Sequence, residues 1–437
     1  MLCAASTHAA GPLGQNGQPI FTSDYHIDLF QGPVLASSRV TGFAGAYAAI
    51  AEGVDGYAVS SAAPTVRVPW SYDYIDYDLS VGITFPNALA NTDFENKGKS
   101  GFAYKDFLFV PLGANVQIGT WGFGFALDLQ TYQLGDTGGL TPGFSNLQVA
   151  LVRAKWLVAK SFIDGQLMFG LGARVAGLTL TAKADTGSSE GKQLFSTTSG
   201  GVEAGVMIAP HALPVRGSFT WRGPMKRDSA PDESLRTADG DYVTANHYLP
   251  SAVEIPWELE LGVALQFGPR PLNPRWHNPH DRTEYTLTPD DKGEPRRLSN
   301  EALRKKLRAD YAAMARERFT LLFAALVSGS VENGVGFESF LVRTVERSGK
   351  NASVTPRIGV EAEVIPGWLQ LRSGSYLEPS RYDGVHARLH GTVGLDVKLF
   401  RWSVFGLLDE DTSFRIGGFG DVAQRYVAWG LTAGIWH

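Results

Sequence analysis

The chain has 437 residues, of which 44% are hydrophobic and 19% are charged, and its formal net charge is -5 at pH 7. A mean hydropathy of -0.08 argues against disorder, and the acidic balance excludes the basic surface typical of nucleic-acid-binding proteins. The single cysteine, Cys3, excludes a disulfide framework and a cysteine-based zinc site. Fifty glycines, 11% aromatic residues and few charges instead indicate a β-rich protein with much apolar surface.

The first part of the chain contains two different segments. Residues 1–11 resemble the end of a signal peptide with a small-residue cleavage site, which indicates export. Residues 37–70 are rich in small residues and are punctuated by glycines such as Gly42 and Gly45. They have too little bulk for a core of their own, so we expect their backbone to pack tightly inside a larger structure.

No apolar run is long enough for a transmembrane helix. The longest, Phe319 to Val327, has about half of the ~20 residues that such a helix needs. This does not exclude a membrane β-barrel, because barrel strands alternate between apolar and polar residues.

A period-two alternation is sustained after residue 70. Leu79, Val81 and Ile83, for example, alternate with Asp78 and Ser80. In a soluble sandwich the large residues would face the core, whereas in a membrane barrel they would face lipid and the small or charged residues would fill the lumen.

Strand number and length favour the barrel. Most of the candidate strands exceed the five or six residues of ordinary strands and suit the roughly 9–11 that span a bilayer. The fourteen candidates are 72–85, 104–118, 120–134, 146–160, 162–184, 193–209, 212–223, 252–268, 318–331, 353–364, 367–379, 384–399, 401–409 and 423–437.

The connections give a second test. Those after even strands are mostly tight, such as Gly119-Thr120 and Phe400-Arg401, and those after odd strands are longer and polar, such as 224–251 and 410–422. Short periplasmic turns that alternate with long external loops are typical of membrane barrels. We therefore predict an all-β fold, a 14-stranded antiparallel transmembrane β-barrel over residues 71–437, with both termini on the periplasmic side.

The alternation also assigns polar residues to the lumen. We expect these side chains to line it as an ionic network: Glu254, Glu258, Glu260, Arg357, Glu361, His386, Arg388, His390, Asp396 and Lys398. His386 and His390 would be roughly 13 Å apart along one strand, too far for one metal ion. Since no catalytic or nucleotide-binding motif is present, we predict neither enzyme activity nor a cofactor or metal.

One periplasmic connection, residues 269–317, is unusually long. A helix is predicted over about 299–316, with an apolar face of Leu303, Leu307 and Tyr311, and basic residues that include Arg304 and Lys305. It would either lie on the base of the barrel or, with residues 296–317, dock a periplasmic partner or lipid headgroups.

The segment that precedes the barrel resembles a known family. Arg39-Val-Thr-Gly42-x-x-Gly45-Ala-Tyr47, Ala51-Glu-Gly53-x-Asp55 and Ser60-x-Ala-Ala63-Pro64 are similar to the start of FadL-type outer-membrane transporters of long-chain fatty acids. The resemblance implies that residues 12–70 form a hatch that plugs a fourteen-stranded barrel. The hatch positions that it implies are Arg39, Gly42, Gly45, Tyr47, Gly53, Asp55, Ser61 and Pro64.

The resemblance also implies a function, the passive uptake of fatty acids or hydrocarbons through the outer membrane of a Gram-negative cell. Related PorV-type barrels begin in the same way. The alternative function is therefore an outer-membrane scaffold that holds a secretion, adhesion or motility partner, which the basic helix favours. A soluble β-rich protein is a third hypothesis.

Overall fold

The structure is a computed structural model. It describes residues 13–67, 71, 73–86, 93–100, 104–134, 144–184, 192–228, 233–244, 246–276, 278–280, 286–287, 296–297, 302, 305–306, 309–310, 313–315, 318–405, 408 and 412–436. The predicted signal-peptide remnant, residues 1–11, lies outside this part of the chain.

Fourteen strands form a closed antiparallel barrel, in which the first strand pairs with the last. They are β1 (Ile75–Phe85), β2 (Tyr104–Ile118), β3 (Trp121–Leu134), β4 (Phe144–Phe162), β5 (Leu167–Ala184), β6 (Lys192–Ile208), β7 (Val215–Arg222), β8 (Glu258–Phe267), β9 (Phe319–Ser328), β10 (Ser353–Ile365), β11 (Leu369–Glu378), β12 (Arg388–Arg401), β13 (Ser413–Ala423) and β14 (Tyr426–Ile435). The predicted fold class and strand number are confirmed.

The two faces of the wall have the chemistry of a membrane barrel. On β1, Leu79 and Val81 are about half exposed on the outside, while Asp78 and Ser80 are buried on the inside. The same division holds around the wall, with large apolar residues outside and many polar residues inside. This places the apolar face of each strand against lipid.

The two ends of the barrel differ in their connections. At one end, which we call the turn end, short connections such as 119–120, 163–166 and 366–368 join the strands. At the other, the loop end, most connections are longer, such as 223–257 and 329–352, and residues 424–425 form a tight turn as an exception. Residues 268–318 join the turn-end termini of β8 and β9, as predicted.

The predicted position of strand thirteen is wrong. The sequence placed it at 401–409 after a tight turn at Phe400-Arg401, but the strand is Ser413–Ala423, and the tight turn follows it at residues 424–425. Glycines on β13, among them Gly418 and Gly420, replace large residues on its outer face. The apolar alternation is therefore weak where the strand forms.

The predicted strand 252–268 is divided at Pro256. Ala252–Ile255 leaves the barrel and joins a four-stranded sheet at the loop end, and only Glu258–Phe267 enters the wall. Proline lacks the N–H that a continuous ladder needs, which explains the division. The other strands of the small sheet are His26–Asp28, Met225–Asp228 and Gly334–Gly336.

The amino-terminal segment passes through the barrel from end to end. Residues 13–33, which we call the arm, lie at the loop end against the connections 223–257 and 329–352. Residues 34–67, which we call the plug, descend the lumen and reach the turn end, where Arg67 contacts the carbonyl of Gly119. The expectation that both termini lie at the turn end is therefore wrong for the first described residues.

Short helices are the regular elements of the plug. They are α1 (Ser38–Gly42) and two 3₁₀ turns, Val54–Ala58 and Ala63–Thr65. A second α-helix, α2 (Phe337–Val342), lies within the loop-end connection 329–352. No helix in the described part of the chain combines the length and hydropathy needed to cross a bilayer.

Further short elements lie in the connections. They are the two-stranded ribbons Val243–Thr244 with His247–Tyr248 and Thr286–Leu287 with Arg296–Arg297, and the 3₁₀ turns Ile163–Gly165 and Glu233–Leu235.

Candidate functional site

The plug packs against the wall through small residues. From Val34 to Val66 every residue except Leu35 and Ala58 is buried. A Cβ on Gly42 would lie 3.1 Å from the Cα of Gly394 on β12, so the two backbones touch. Gly45 has a φ of 76°, and its carbonyl accepts a hydrogen bond from Arg357 at 3.4 Å. Glycine is required there because other residues are strained at positive φ.

An ion pair organises the plug internally. Arg39 Nη2 lies 3.0 Å from Glu52 Oε2, and the guanidinium stands 5.1 Å from the centre of the Tyr47 ring. The backbone N–H of Glu52 donates to the Tyr47 hydroxyl at 3.2 Å. Gly53, with a φ of 63°, follows at the start of the first 3₁₀ turn. Arg39, Tyr47 and Gly53 therefore build one buried unit, in which Glu52 was not predicted.

The remaining predicted hatch residues bind the wall. Asp55 accepts a hydrogen bond from Ser80 at 3.2 Å and pairs with Arg415 on β13. Ser61 donates to Glu203 on β6 at 3.0 Å. The carbonyl of Pro64 accepts a hydrogen bond from Gln117 at 2.8 Å.

Two predicted lumen residues, Asp396 and Glu361, belong to one wall network. Arg372 of β11 joins them, with contacts of 3.0 Å to Asp396 and 2.6 Å to Glu361. The network continues from Asp396 to Arg415 at 3.1 Å and from Glu361 to Arg318 at 3.1 Å. It therefore reaches the plug through Asp55.

Three more predicted residues, Glu258, Glu260 and Arg357, meet around Arg222 of β7. Arg222 Nη1 lies 3.2 Å from both carboxylates, and Arg357 lies 2.8 Å from Glu260. Arg222 also donates to the carbonyl of Ala58 at 3.0 Å, which holds the plug.

A third cluster surrounds His390 near the loop end. Its ring nitrogens lie 2.8 Å from Asp421 and 2.6 Å from Glu378, and its ring stacks on Tyr376. Arg388 lies 2.7 Å from the same carboxylate of Glu378. Within the described residues no group of three or more histidines, cysteines or carboxylates has a metal-binding arrangement.

Two of the predicted lumen positions are wrong, and a third is at the margin. His386 precedes β12 and is exposed, because the strand begins at Arg388, four residues later than the predicted start at residue 384. Glu254 lies in the small loop-end sheet and is 3.6 Å from His26 of the arm. Lys398 lies in β12 and is only partly buried, next to a register shift.

Some residues that complete these clusters could have been found from the sequence. They are Arg222, Arg372 and Glu378, which occupy inward positions of strands that the alternation predicted. Applying the same alternation to the whole of these strands would have identified them as lumen residues. Arg415 could not be found in this way, since it lies in a segment that was predicted as a loop.

The loop-end half of the lumen has an apolar wall. We use this name for the inward, buried residues Leu147, Val149, Leu151, Leu178 and Leu180 of β4 and β5. They share one buried apolar cluster with Phe107, Tyr132, and Phe337 and Phe340 of α2. A general aqueous pore has a polar interior, so the apolar wall makes this side of the lumen suitable for an apolar solute.

A cavity of about 150 Å³ lies in the lumen beside the plug. Its lining joins apolar residues, including Leu35, Val59 and Ile255, to cations that include Arg153 and Arg174. Arg174 is 3.6 Å from Glu203, and its Nη1 is buried without a hydrogen-bond partner among the described residues. The cavity can therefore bind a molecule with an apolar body and an acceptor group at one end.

The turn end is closed below the plug by residues 270–276, which we call the base segment. Arg216 of β7 donates to the carbonyl of Leu272 at 2.6 Å and to the Asn273 amide oxygen at 2.7 Å. Arg270 pairs with Glu363 at 3.0 Å. A cavity of about 340 Å³ lies between the base segment, the end of the plug and the neighbouring turns.

The predicted docking helix stays a prediction. Leu303, Arg304, Leu307 and Tyr311 lie outside the described residues. Lys305 is helical and exposed.

A group of carboxylates connects two loop-end connections. The N–H of Glu338 in α2 donates to Glu95 at 2.9 Å, and Tyr382 donates to the other oxygen of Glu95. Burial, followed by the charge of Glu338, raises the pKa of Glu95 to about 8. Lys97 lies 3.3 Å from Glu338 and contacts Glu346.

Comparisons with known proteins show the fold. No protein-family model matches the chain, and no curated protein matches it. Among solved structures it is similar to a FadL homologue from Pseudomonas aeruginosa, with 10% identity, a TM-score of 0.52, and coverage of 96% of this chain and 99% of that one. It is also similar to the CymD monoaromatic hydrocarbon channel, with 9% identity, a TM-score of 0.50, and coverage of 92% and 96%.

The toluene transporter TodX of P. putida gives a comparable match, with 10% identity, a TM-score of 0.50, and coverage of 93% of this chain and 99% of that one. The predicted resemblance to FadL-type transporters is therefore confirmed at the level of the fold. At such low identities the likeness carries no residue roles.

Proposed function

We propose that the protein is an outer-membrane channel of a Gram-negative cell for the passive uptake of hydrophobic molecules, such as hydrocarbons or long-chain fatty acids, and that it is not an enzyme. In this proposal the turn end faces the periplasm and the loop end faces outward, in keeping with the lengths of the connections. The fold shared with hydrocarbon channels supports the proposal.

The apolar wall is the observation that carries this function. Leu178 and Leu180 are buried on the inside of the barrel, where a channel for polar solutes would present polar groups. An apolar solute gains about 25 cal/mol for each Å² that it buries against such a surface. The cavity beside the plug would then receive the solute from the apolar wall.

The plug, with its hatch positions, would gate the lower lumen. Its ion pairs to Arg216 of β7 and Arg415 of β13 hold it against the wall. Release would require these pairs to separate while the wall remains intact.

Uptake of radiolabelled toluene and oleate by a host that lacks its own hydrophobic-compound channels tests the function. The wild-type chain should increase uptake, Leu180→Met should preserve it, and Leu180→Gln should lower it, because the amide must be desolvated beside the solute. Heat-modifiable gel migration confirms that each variant forms a barrel. If the wild-type chain gives no more uptake than an empty vector, the proposal is wrong.

A further inference from the structure

The arm is held in the mouth of the barrel as an added strand. His26–Asp28 pairs in parallel with 252–254 on one side and with 334–336 on the other. These neighbours belong to different loop-end connections, so the arm joins two segments that are far apart in the chain. The pairing is the one by which a separate peptide is added to a sheet.

A buried ion pair anchors the carboxyl-terminal end of this strand. Asp28 Oδ2 lies 2.9 Å from Arg381 Nε and accepts a hydrogen bond from Ser348 at 2.8 Å. Arg381 also donates to the carbonyl of Gly329 at 2.7 Å. Asp28 and Arg381 are both buried, so the arm is tied to two loop-end connections through one carboxylate.

The apolar residues of the arm share a buried cluster with the apolar wall. Leu13, Ile20, Tyr25 and Ile27 are buried in the same cluster as Leu147, Leu178 and Leu180. The arm therefore forms one continuous buried apolar cluster with the surface that an entering apolar solute would use.

We propose that the arm is an autoinhibitory lid, that its amino end faces the cell exterior, and that a hydrophobic solute must displace it to reach the cavity beside the plug. The proposal rests on the proposed function and its orientation in the membrane. The short pairing of the arm, three residues on each side, allows it to leave while the barrel strands stay paired.

The position of the arm is tested by cysteine labelling on intact cells in a Cys3→Ser background. The reagent is a polymer-linked maleimide too large for general porins. Gln15→Cys, on the exposed part of the arm, and Lys350→Cys, at the loop end, should be labelled. Asp164→Cys, exposed at the turn end, should be labelled only after permeabilisation.

The outcomes separate the two proposals. If Lys350→Cys is labelled and Gln15→Cys is not, the arm does not face outward and the lid is wrong. If Asp164→Cys is labelled on intact cells and Lys350→Cys is not, the proposed orientation is wrong.

The closing role is tested with a lumen reporter, Asp128→Cys, which lines the cavity, and a small impermeant maleimide. Asp28→Asn should increase its labelling rate by at least about tenfold, since the anchor of the arm loses its charge. Ser348→Ala, which removes one hydrogen bond to Asp28, should give a smaller increase in labelling rate. It replaces Asp28→Asn in the test if that variant does not form a barrel. Asp383→Asn, an exposed aspartate in the same connection as Arg381, is the matched control.

Toluene uptake should rise in the same order as the labelling. Unchanged labelling and uptake in Asp28→Asn and in a variant without residues 13–30 would overturn the lid, even if the wild-type chain transports toluene.

Discussion

Arg216 Nη1 on β7 lies 3.3 Å from Glu52 Oε1 in the plug. The same guanidinium donates to the carbonyl of Ile50 and to the base segment through Leu272 and Asn273. One buried cation therefore joins the plug, the wall and the closure of the turn end, which makes it the contact through which plug movement and base opening would be coupled.

Arg216→Ala is expected to loosen the turn end. Glu52 would keep its ion pair with Arg39 but lose the one that links it to the wall. The carbonyl of Leu272 would lose its hydrogen-bond donor. In planar bilayers the variant should open more often and conduct more than the wild-type protein. Arg275→Ala is the control, because Arg275 pairs with Asp164 in an exposed position, where an ion pair contributes little. Equal conductance of the two variants would contradict the coupling.

The ion pair between Asp55 and Arg415 predicts that a second substitution restores part of the stability that the first one removes. Arg415→Met leaves Asp55 and Asp396 buried with one cation fewer, which should cost about 3–5 kcal/mol of unfolding free energy. Adding Asp55→Asn removes one of the stranded charges and should restore part of that loss. Urea-induced unfolding measured by the gel shift of the barrel gives the comparison. A double variant less stable than Arg415→Met would show that the two residues do not act as a pair.

The regular wall was predictable, because period-two alternation depends only on which face meets lipid. Strands such as 104–118 match the prediction at both ends. Strand thirteen was not predictable, since the outward positions of β13 carry Gly418 and Gly420, and the pattern then favours the more apolar segment before it.

The site was predictable in its residue types and only partly in its partners. The motif identified Arg39 and Asp55 as plug residues, and the alternation identified Asp396 and Glu361 as lumen residues. Which cation meets which carboxylate depends on how strands far apart in the chain are placed around the plug, and no local pattern contains that information. The path of the arm to the loop end was missed for the same reason, because only three residues of it form a strand.

Filling the cavity beside the plug should reduce uptake without unfolding the barrel. Ala58 lines this cavity and is exposed to it, so Ala58→Trp should place its ring in the space that a solute would occupy. We expect toluene and oleate uptake to fall by about tenfold or more, equivalent to the loss of roughly 1.4 kcal/mol of binding. Ala58→Ser, which adds a single atom, is the control. Normal uptake in Ala58→Trp would place the solute path elsewhere.

The contact between Glu95 and α2 should weaken as the pH rises. The pKa of Glu95 is about 8 in the folded protein, and its ordinary value is 4.5. Glu95 therefore holds a proton while residues 93–100 are docked on α2 and releases it when they undock. Burial also raises the pKa of Glu338, so both carboxyls act in the same direction. Glu346 acts in the opposite direction at low pH, because its burial is outweighed by hydrogen bonds from Lys97 and Lys99, which lower its pKa below 4.5. Docking should therefore be strongest near pH 4.5 and weaken as the pH rises to about 8.

Hydrogen exchange of residues 93–100 measures this docking, with Glu95→Gln compared with the wild-type protein at each pH to cancel the intrinsic rate. Glutamine stays neutral and can still accept from the N–H of Glu338. The variant should therefore match the wild-type protein at low pH and be better protected than it above about pH 8. Glu332→Gln, a substitution at an exposed position of the connection that contains α2, should follow the wild-type protein throughout. If Glu95→Gln and the wild-type protein keep the same protection ratio from low to high pH, Glu95 is ionised in the docked state and the raised pKa is wrong.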